Sequence, residues 1–169
     1  KYVTIDKIED MRLHAKEFKN KIYSIERKTF VGTLAAEVVK QYELNEFEID
    51  FGNEKTMINA LEKAYSNKEW VAITGWQPHW KFGAYELKFL DDPKGILGQE
   101  EYTATLVRKG LKEENKELYS LFKDFKLDIN MLNKAVCKVH DGMPAKQAAI
   151  EIVDNMNILA VSKRAAAKK

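Results

Sequence analysis

The feature that most constrains this chain is a change of hydrophobic period, repeated through its first 75 residues. Asp6 to Phe18 carries apolar Ile8, Met11 and Phe18 and reads as a short helix. Lys21 to Glu26 reads as a short strand. Thr29 can cap a helix whose stripe is Val31, Leu34, Ala35, Val38, Val39 and Tyr42, at helical spacing. Phe47, Ile49 and Phe51 then alternate with acids, a strand pattern. Asn53 can cap a helix with Met57, Ala60, Leu61, Ala64 and Tyr65 on one face. Trp70 to Thr74 is a near-continuous apolar run, which predicts a strand buried on both faces. An α-β-α-β-α-β order predicts an α/β fold, a mostly parallel sheet with helices packed on it.

Beyond residue 75 the pattern changes. Glu86 to Leu90 reads as a strand ending at the turn Asp91-Asp92-Pro93-Lys94-Gly95, where turn capping outweighs a metal or acid–base role for the two acids. Tyr102 to Arg108 alternates and predicts another strand. Three C-terminal helices follow. The first runs Glu113 to Phe125, with Leu118, Leu121, Phe122 and Phe125 as its stripe. The second is capped by Asp128, bears Leu132, Ala135, Val136 and Val139, and stops at Gly142. The third has Pro144 in its first turn and bears Ala148, Ala149, Ile152, Val153 and Met156. The basic tail 162–169 is expected to fray.

Composition removes several function classes. Charged residues are 32% of the 169 and the apolar set 45%, so the chain can bury a core. A net charge of +2 argues against a broad nucleic-acid surface. The single cysteine, Cys137, allows neither an intramolecular disulfide nor a cysteine metal site, and reads as a small buried hydrophobe. No apolar run approaches the roughly 20 residues that span a bilayer. His14, His79 and His140 do not share a metal-ligand spacing, and no metal or cofactor is expected. His14 and His140 are expected on helix surfaces. Nucleophile motifs and phosphate-cradling glycine loops are also missing, which disfavours an enzyme on this scaffold. With neither a start Met nor a signal peptide, the chain reads as a processed or trimmed product.

The strongest local signal is Gly75 to Tyr85, which places Gly, Pro, His and four aromatics in eleven positions. Trp76 and Trp80 flank Gln77, Pro78 and His79. A quaternary ammonium has no N–H to donate, so aromatic faces are a protein's natural means of holding it. The segment also follows a strand, and ligands in open α/β sheets sit beyond the strands' carboxyl ends. The same rings would serve equally well as core. His79 could hydrogen-bond an anionic ligand group or simply brace a turn.

Trp70 to Gly95, WVAITGWQPHWKFGAYELKFLDDPKG, resembles the glycine betaine/proline-binding proteins of ABC importers, through the pattern G-W-x-P-H-W-x-F followed by Y-x-L-K-x-L-x-D-P-K. Tyr2 to Asp10, Val107-Arg108-Lys109-Gly110, Leu121 to Leu132 and Asp141-Gly142 are similar to other stretches of that family. The resemblance implies a periplasmic-binding-protein-like (type II, Venus flytrap) fold and an aromatic box for the ligand. On that basis residues 1–108 are expected to form a second-lobe-like domain containing the segment 75–85. Residues 109–161 would be the C-terminal helical return and 162–169 the tail.

The resemblance implies ligand binding by Trp76, with Gly75, Gln77 and His79 shaping the carboxylate end and Phe125 as a second, weaker aromatic partner. The implied ligands are glycine betaine, proline betaine, choline or proline. The implied partner is an ABC permease, outside the cytoplasmic membrane, in the periplasm or extracellular space, with the full-length protein membrane-associated. Two segments depart from the family: Arg27-Lys28-Thr29-Phe30 replaces its P-G-A-G turn, and Asn53-Glu54-Lys55-Thr56-Met57 its S-G-A-A-M segment. The chain is also short for the family, and the N-terminal part of the first lobe is expected to be missing. A truncated lobe or interaction module without tight ligand binding is the alternative, ahead of an α/β enzyme, and with half of the fold missing self-association is a further expected contact.

Overall fold

The computed structural model describes residues 2–98, 102 and 104–155. The chain divides into two compact units, Lys1–Trp76 with Lys88–Glu100, and Gln77–Leu87 with Glu101–Lys169.

The first unit carries the expected alternation. A 3-10 helix, Ile8–Leu13, leads to β1 (Lys21–Ser24), α1 (Phe30–Gln41), β2 (Glu48–Phe51), α2 (Glu54–Ser66) and β3 (Ala72–Ile73). Parallel strands need a crossover, and α1 and α2 supply it. The sheet order is β2-β1-β3, all parallel, with Ile22 opposite both Ile49 and Ala72. Both helices start at side-chain caps. Thr29 Oγ1 accepts from Gly32 N–H and Asn53 Oδ1 from Thr56 N–H, each at 3.0 Å. The charged replacements noted above therefore occupy helix starts whose orphan donors are partly satisfied by their own caps.

Ile5, Ile8, Met11, Ala15 and Phe18 from the entry segment pack with Ile22, Val38, Tyr42, Leu44 and Phe47. Tyr42 is 1% exposed, and its hydroxyl donates to Asp92 Oδ1 at 2.5 Å while accepting Lys94 N–H at 2.8 Å. Asp92 also accepts Leu97 N–H at 2.6 Å, so its carboxylate closes the 91–97 turn over the core.

Burial first, then the bond to Asp92, raises the Tyr42 phenol above its ordinary value of 10.0. The folded state therefore holds this proton more tightly. The associated stability is fully present below the unfolded value and lost as pH rises through the folded one. Tyr42→Phe is expected to cost about 1–3 kcal/mol at neutral pH. It is also expected to flatten the loss of stability above about pH 10. Urea unfolding at pH 7 and at pH 10–11 checks both, and an unchanged alkaline slope would refute the assignment.

Two strand expectations need correction. β3 is two residues long, and Trp70 to Trp76 are all half-buried rather than buried on both faces, because among the described residues β3 ends the sheet and pairs with β1 alone. Glu86–Leu90 forms no strand. Beside it stands one isolated parallel bridge, Lys7 to Asp91, while Glu86, Lys88 and Phe89 are exposed and only Leu87 and Leu90 are half-buried.

The second unit is helical: α3 (Lys81–Ala84), α4 (Leu111–Glu114), α5 (Lys116–Asp124), α6 (Ile129–His140) and α7 (Ala145–Asn155). The alternation from Tyr102 to Arg108 yields no strand in its described residues. Tyr102 and Leu106 are 88% and 92% exposed, so no face is buried to hold a ladder. The single helix expected over Glu113–Phe125 is two, because Asn115 leaves helical geometry and its side chain caps Leu118 N–H at 2.9 Å. No residue of α5 is buried.

Asp128 caps α6 through Met131 N–H at 2.9 Å. Gly142, at φ 104°, ends it with Met143 N–H returning to the Lys138 carbonyl. The buried side of α6 holds Asn133 and Ala135, whereas Leu132 and Val136 are half-buried and Val139 is exposed. Pro144 offers its carbonyl to Gln147 and Ala148 N–H, opening α7. Met156 and the tail 162–169 lie outside the described residues.

Candidate functional site

Thr74 leaves β3 with its N–H on the Tyr23 carbonyl at 2.9 Å and its hydroxyl 3.3 Å from Ser24 Oγ. The chain thus reaches Gly75 and Trp76 from the carboxyl end of the sheet, both half-buried and both in the first unit. Gln77 and Pro78 are exposed, joined by a cis peptide, and begin the second unit's share of the segment.

His79 is 6% exposed. Its backbone N–H donates to Asn133 Oδ1 at 3.0 Å, and its Nδ1 accepts Lys81 N–H at 3.2 Å. In the neutral ring that bond places the proton on Nε2. The His79 carbonyl accepts Phe82 N–H, and the Trp80 carbonyl accepts from Gly83 and Ala84, which folds the segment into α3. The Trp80 indole lies flat on the His140 imidazole, centroids 3.9 Å apart and planes 5° apart, with Tyr85 tilted at 6.2 Å.

α3 can approach α6 closely because residue 83 is glycine: a Cβ there would lie 2.6 Å from Cys137 Cβ and 2.8 Å from the Asn133 carbonyl oxygen. Burial, then Asp141, pushes the Cys137 thiol up, which suits an inert packing role. Phe125 follows α5 and is 39% exposed.

The candidates named from sequence are thus distributed: Gly75 and Trp76 in one unit, Gln77, His79 and Phe125 in the other. His14 is half-buried rather than fully on the surface, against Trp70 at 5.3 Å and Glu17 at 3.2 Å. His140 is exposed on α6. Trp70, half-buried, packs edge-on against Phe18 at 5.1 Å, beside the first unit's core. Trp70 also lines a depression of about 380 Å³ with Phe18, Tyr23, Ala60, Lys63 and Glu69, which contains none of the candidates. Sequence reasoning passed over Asn133. Its signal was a polar residue in register with Cys137 and His140, at i, i+4 and i+7 on α6. Among the described residues no three metal-ligating side chains gather, and no helix is long and apolar enough to cross a membrane.

Residues 1–155 match the family described as the substrate binding domain of the ABC-type glycine betaine transport system (OpuAC). The chain belongs to this family. The OpuAC family is one of transport binding domains rather than enzymes, and is extracytoplasmic.

Over 119 residues the chain is 34% identical to the glycine betaine/carnitine transport binding protein GbuC of Listeria monocytogenes serotype 1/2a (strain 10403S), covering 69% of this chain and 40% of that one. Lactococcal OpuAC, closed and complexed with glycine betaine, superposes with a TM-score of 0.67 at 30% identity, covering 96% of this chain and 63% of that one. The glycine betaine/L-proline-binding protein ProX of Borrelia burgdorferi superposes at 0.63 and 30% identity, covering 93% and 60%. A choline-binding protein at 23% identity and TM-score 0.58 shares the fold. The architecture is therefore α/β and periplasmic-binding-protein-like. The chain spans between two fifths and two thirds of the length of GbuC, OpuAC and ProX.

Proposed function

We propose that this chain takes part in capturing a small quaternary ammonium solute, glycine betaine first, with proline betaine, choline and proline as related ligands, for delivery to an ABC permease at the membrane. The observation that carries this reading is the G-W-Q-P-H-W segment in an OpuAC-family chain, with Trp76 half-buried just beyond a parallel strand. Trp76 offers a ring face to the trimethylammonium by cation–π and dispersion contacts. Gly75, Gln77 and His79 shape the carboxylate end. Phe125 is the second aromatic partner. No bond is made or broken. Residues 1–108 and 109–161 would act as lobe and helical return, with the full-length protein held at the membrane outside the cytoplasm.

Titration of intrinsic tryptophan fluorescence with glycine betaine, choline and proline tests the reading. Saturable perturbation is expected, and no change at millimolar glycine betaine would count against a site in this chain.

A second reading, association of two copies through α5, is favoured by one observation. Leu118 and Phe122 on α5, which buries none of its residues, and Phe125 just after it are each more than a third exposed. Lys116 and Glu117 at one end and Lys123 and Asp124 at the other would complement each other in an antiparallel pair. Phe122→Glu is expected to abolish a concentration-dependent dimer in sedimentation equilibrium. A monomer at every concentration before mutation would rule the dimer out.

A further inference from the structure

We propose that Asn133 is a positioning residue for the His79–Trp80 end of the ligand-binding motif. The proposal rests on the reading of His79 as part of the ligand site. The bonds that shape the turn from within are local: Lys81 N–H to His79 Nδ1, Phe82 N–H to the His79 carbonyl, and Gly83 and Ala84 N–H to the Trp80 carbonyl. Local bonds shape a turn but do not place it. The bond from His79 N–H to Asn133 Oδ1 spans 54 residues and is buried, with Asn133 1% exposed.

One stripe of α6 makes the grip. Asn133 holds the His79 backbone, Cys137 and the Asn133 carbonyl meet Gly83, and His140 stacks on Trp80. Burying an amide is costly unless its groups are paired. Asn133 Nδ2 has no hydrogen-bond partner among the described residues. An apolar residue of that size would avoid the unmet donor, so what Asn133 contributes is its carbonyl oxygen. By holding the His79 main chain it sets where the imidazole stands, and by fixing the turn it sets where Trp80 meets His140.

Two readouts on the full chain test this: amide hydrogen exchange at His79 by NMR, and glycine betaine affinity by fluorescence. Asn133→Ala is expected to speed His79 exchange at least tenfold and weaken glycine betaine binding at least tenfold, with the Leu61 amide of α2 unaffected. Asn133→Asp keeps an acceptor at the same reach and is expected to retain His79 protection. His79 exchange within twofold of wild type in Asn133→Ala overturns the proposal. So does equal acceleration along all of α6 in both variants, which would mark a merely structural residue. Where Asn133→Ala fails to fold, Asn133→Asp decides alone, and loss of His79 protection in it overturns the proposal. Failure of the wild-type chain to bind glycine betaine removes the ligand reading, while exchange at His79 still decides whether Asn133 places the turn.

Discussion

Replacing Trp76 with alanine is expected to weaken glycine betaine binding about thirtyfold, the equivalent of roughly 2 kcal/mol for a desolvated cation–π contact. Trp70→Ala makes the contrast. Trp70 sits six residues earlier, half-buried, edge-on to Phe18 at 5.1 Å and against the first unit's core. Its loss removes packing, and an expected cost of about 2–4 kcal/mol follows from large-to-small substitution at a partly buried aromatic. Affinity in the remaining folded Trp70→Ala protein is expected to stay within twofold. Fluorescence or calorimetric titration beside urea unfolding separates the two effects. Equal losses of affinity from both variants would sink the assignment of Trp76 and direct attention to the depression that Trp70 lines.

Gly83→Val is expected to destabilise the second unit by about 3 kcal/mol, at the upper end of overpacking penalties. The added Cβ would lie 2.6 Å from Cys137 Cβ and 2.8 Å from the Asn133 carbonyl oxygen, and one of those neighbours is backbone. Rotation of a side chain cannot relieve the clash, so α3 and α6 must separate. Gly83→Ala is expected to cost less, because it adds the same first atom and no branches. A drop in the thermal midpoint of roughly 10 °C or more is the corresponding readout for a unit of this size. An unchanged midpoint in Gly83→Val would mean that α3 does not pack on α6 as described. The separation is also expected to disturb the Trp80–His140 stack, so a change in Trp80 emission in Gly83→Ala provides a second observable.

Much of the architecture was legible because it is local. Thr29, Asn53 and Asp128 each announce a helix start, and each caps one through its own side chain. The stripe of α1 and the alternation around Ile49 follow from periods of 3.6 and 2, which any short window displays. Strands are different, since their bonds go to another part of the chain. Glu86–Leu90 and the described residues of 102–108 alternate in sequence as β2 does, yet neither is a strand; β2, itself only half-buried on its apolar side, is one because it pairs with β1. The helix break at Asn115 was written in its sequence as a capping residue, but the apolar stripe running past it outweighed that signal.

The aromatic segment shows the same boundary. Its composition pointed to ligand chemistry, and its pattern marked the family to which the chain belongs. The alternating periods and the caps also belong to the sequence by itself, since they depend on residues a few positions apart. Tertiary structure alone set Trp70 edge-on to Phe18, divided Gly75 and Trp76 from Gln77 onward, and brought Asn133 to His79 across 54 residues. The reason is physical. Burial and a long-range hydrogen bond are properties of two segments at once, and neither segment carries the other's address in its own residues.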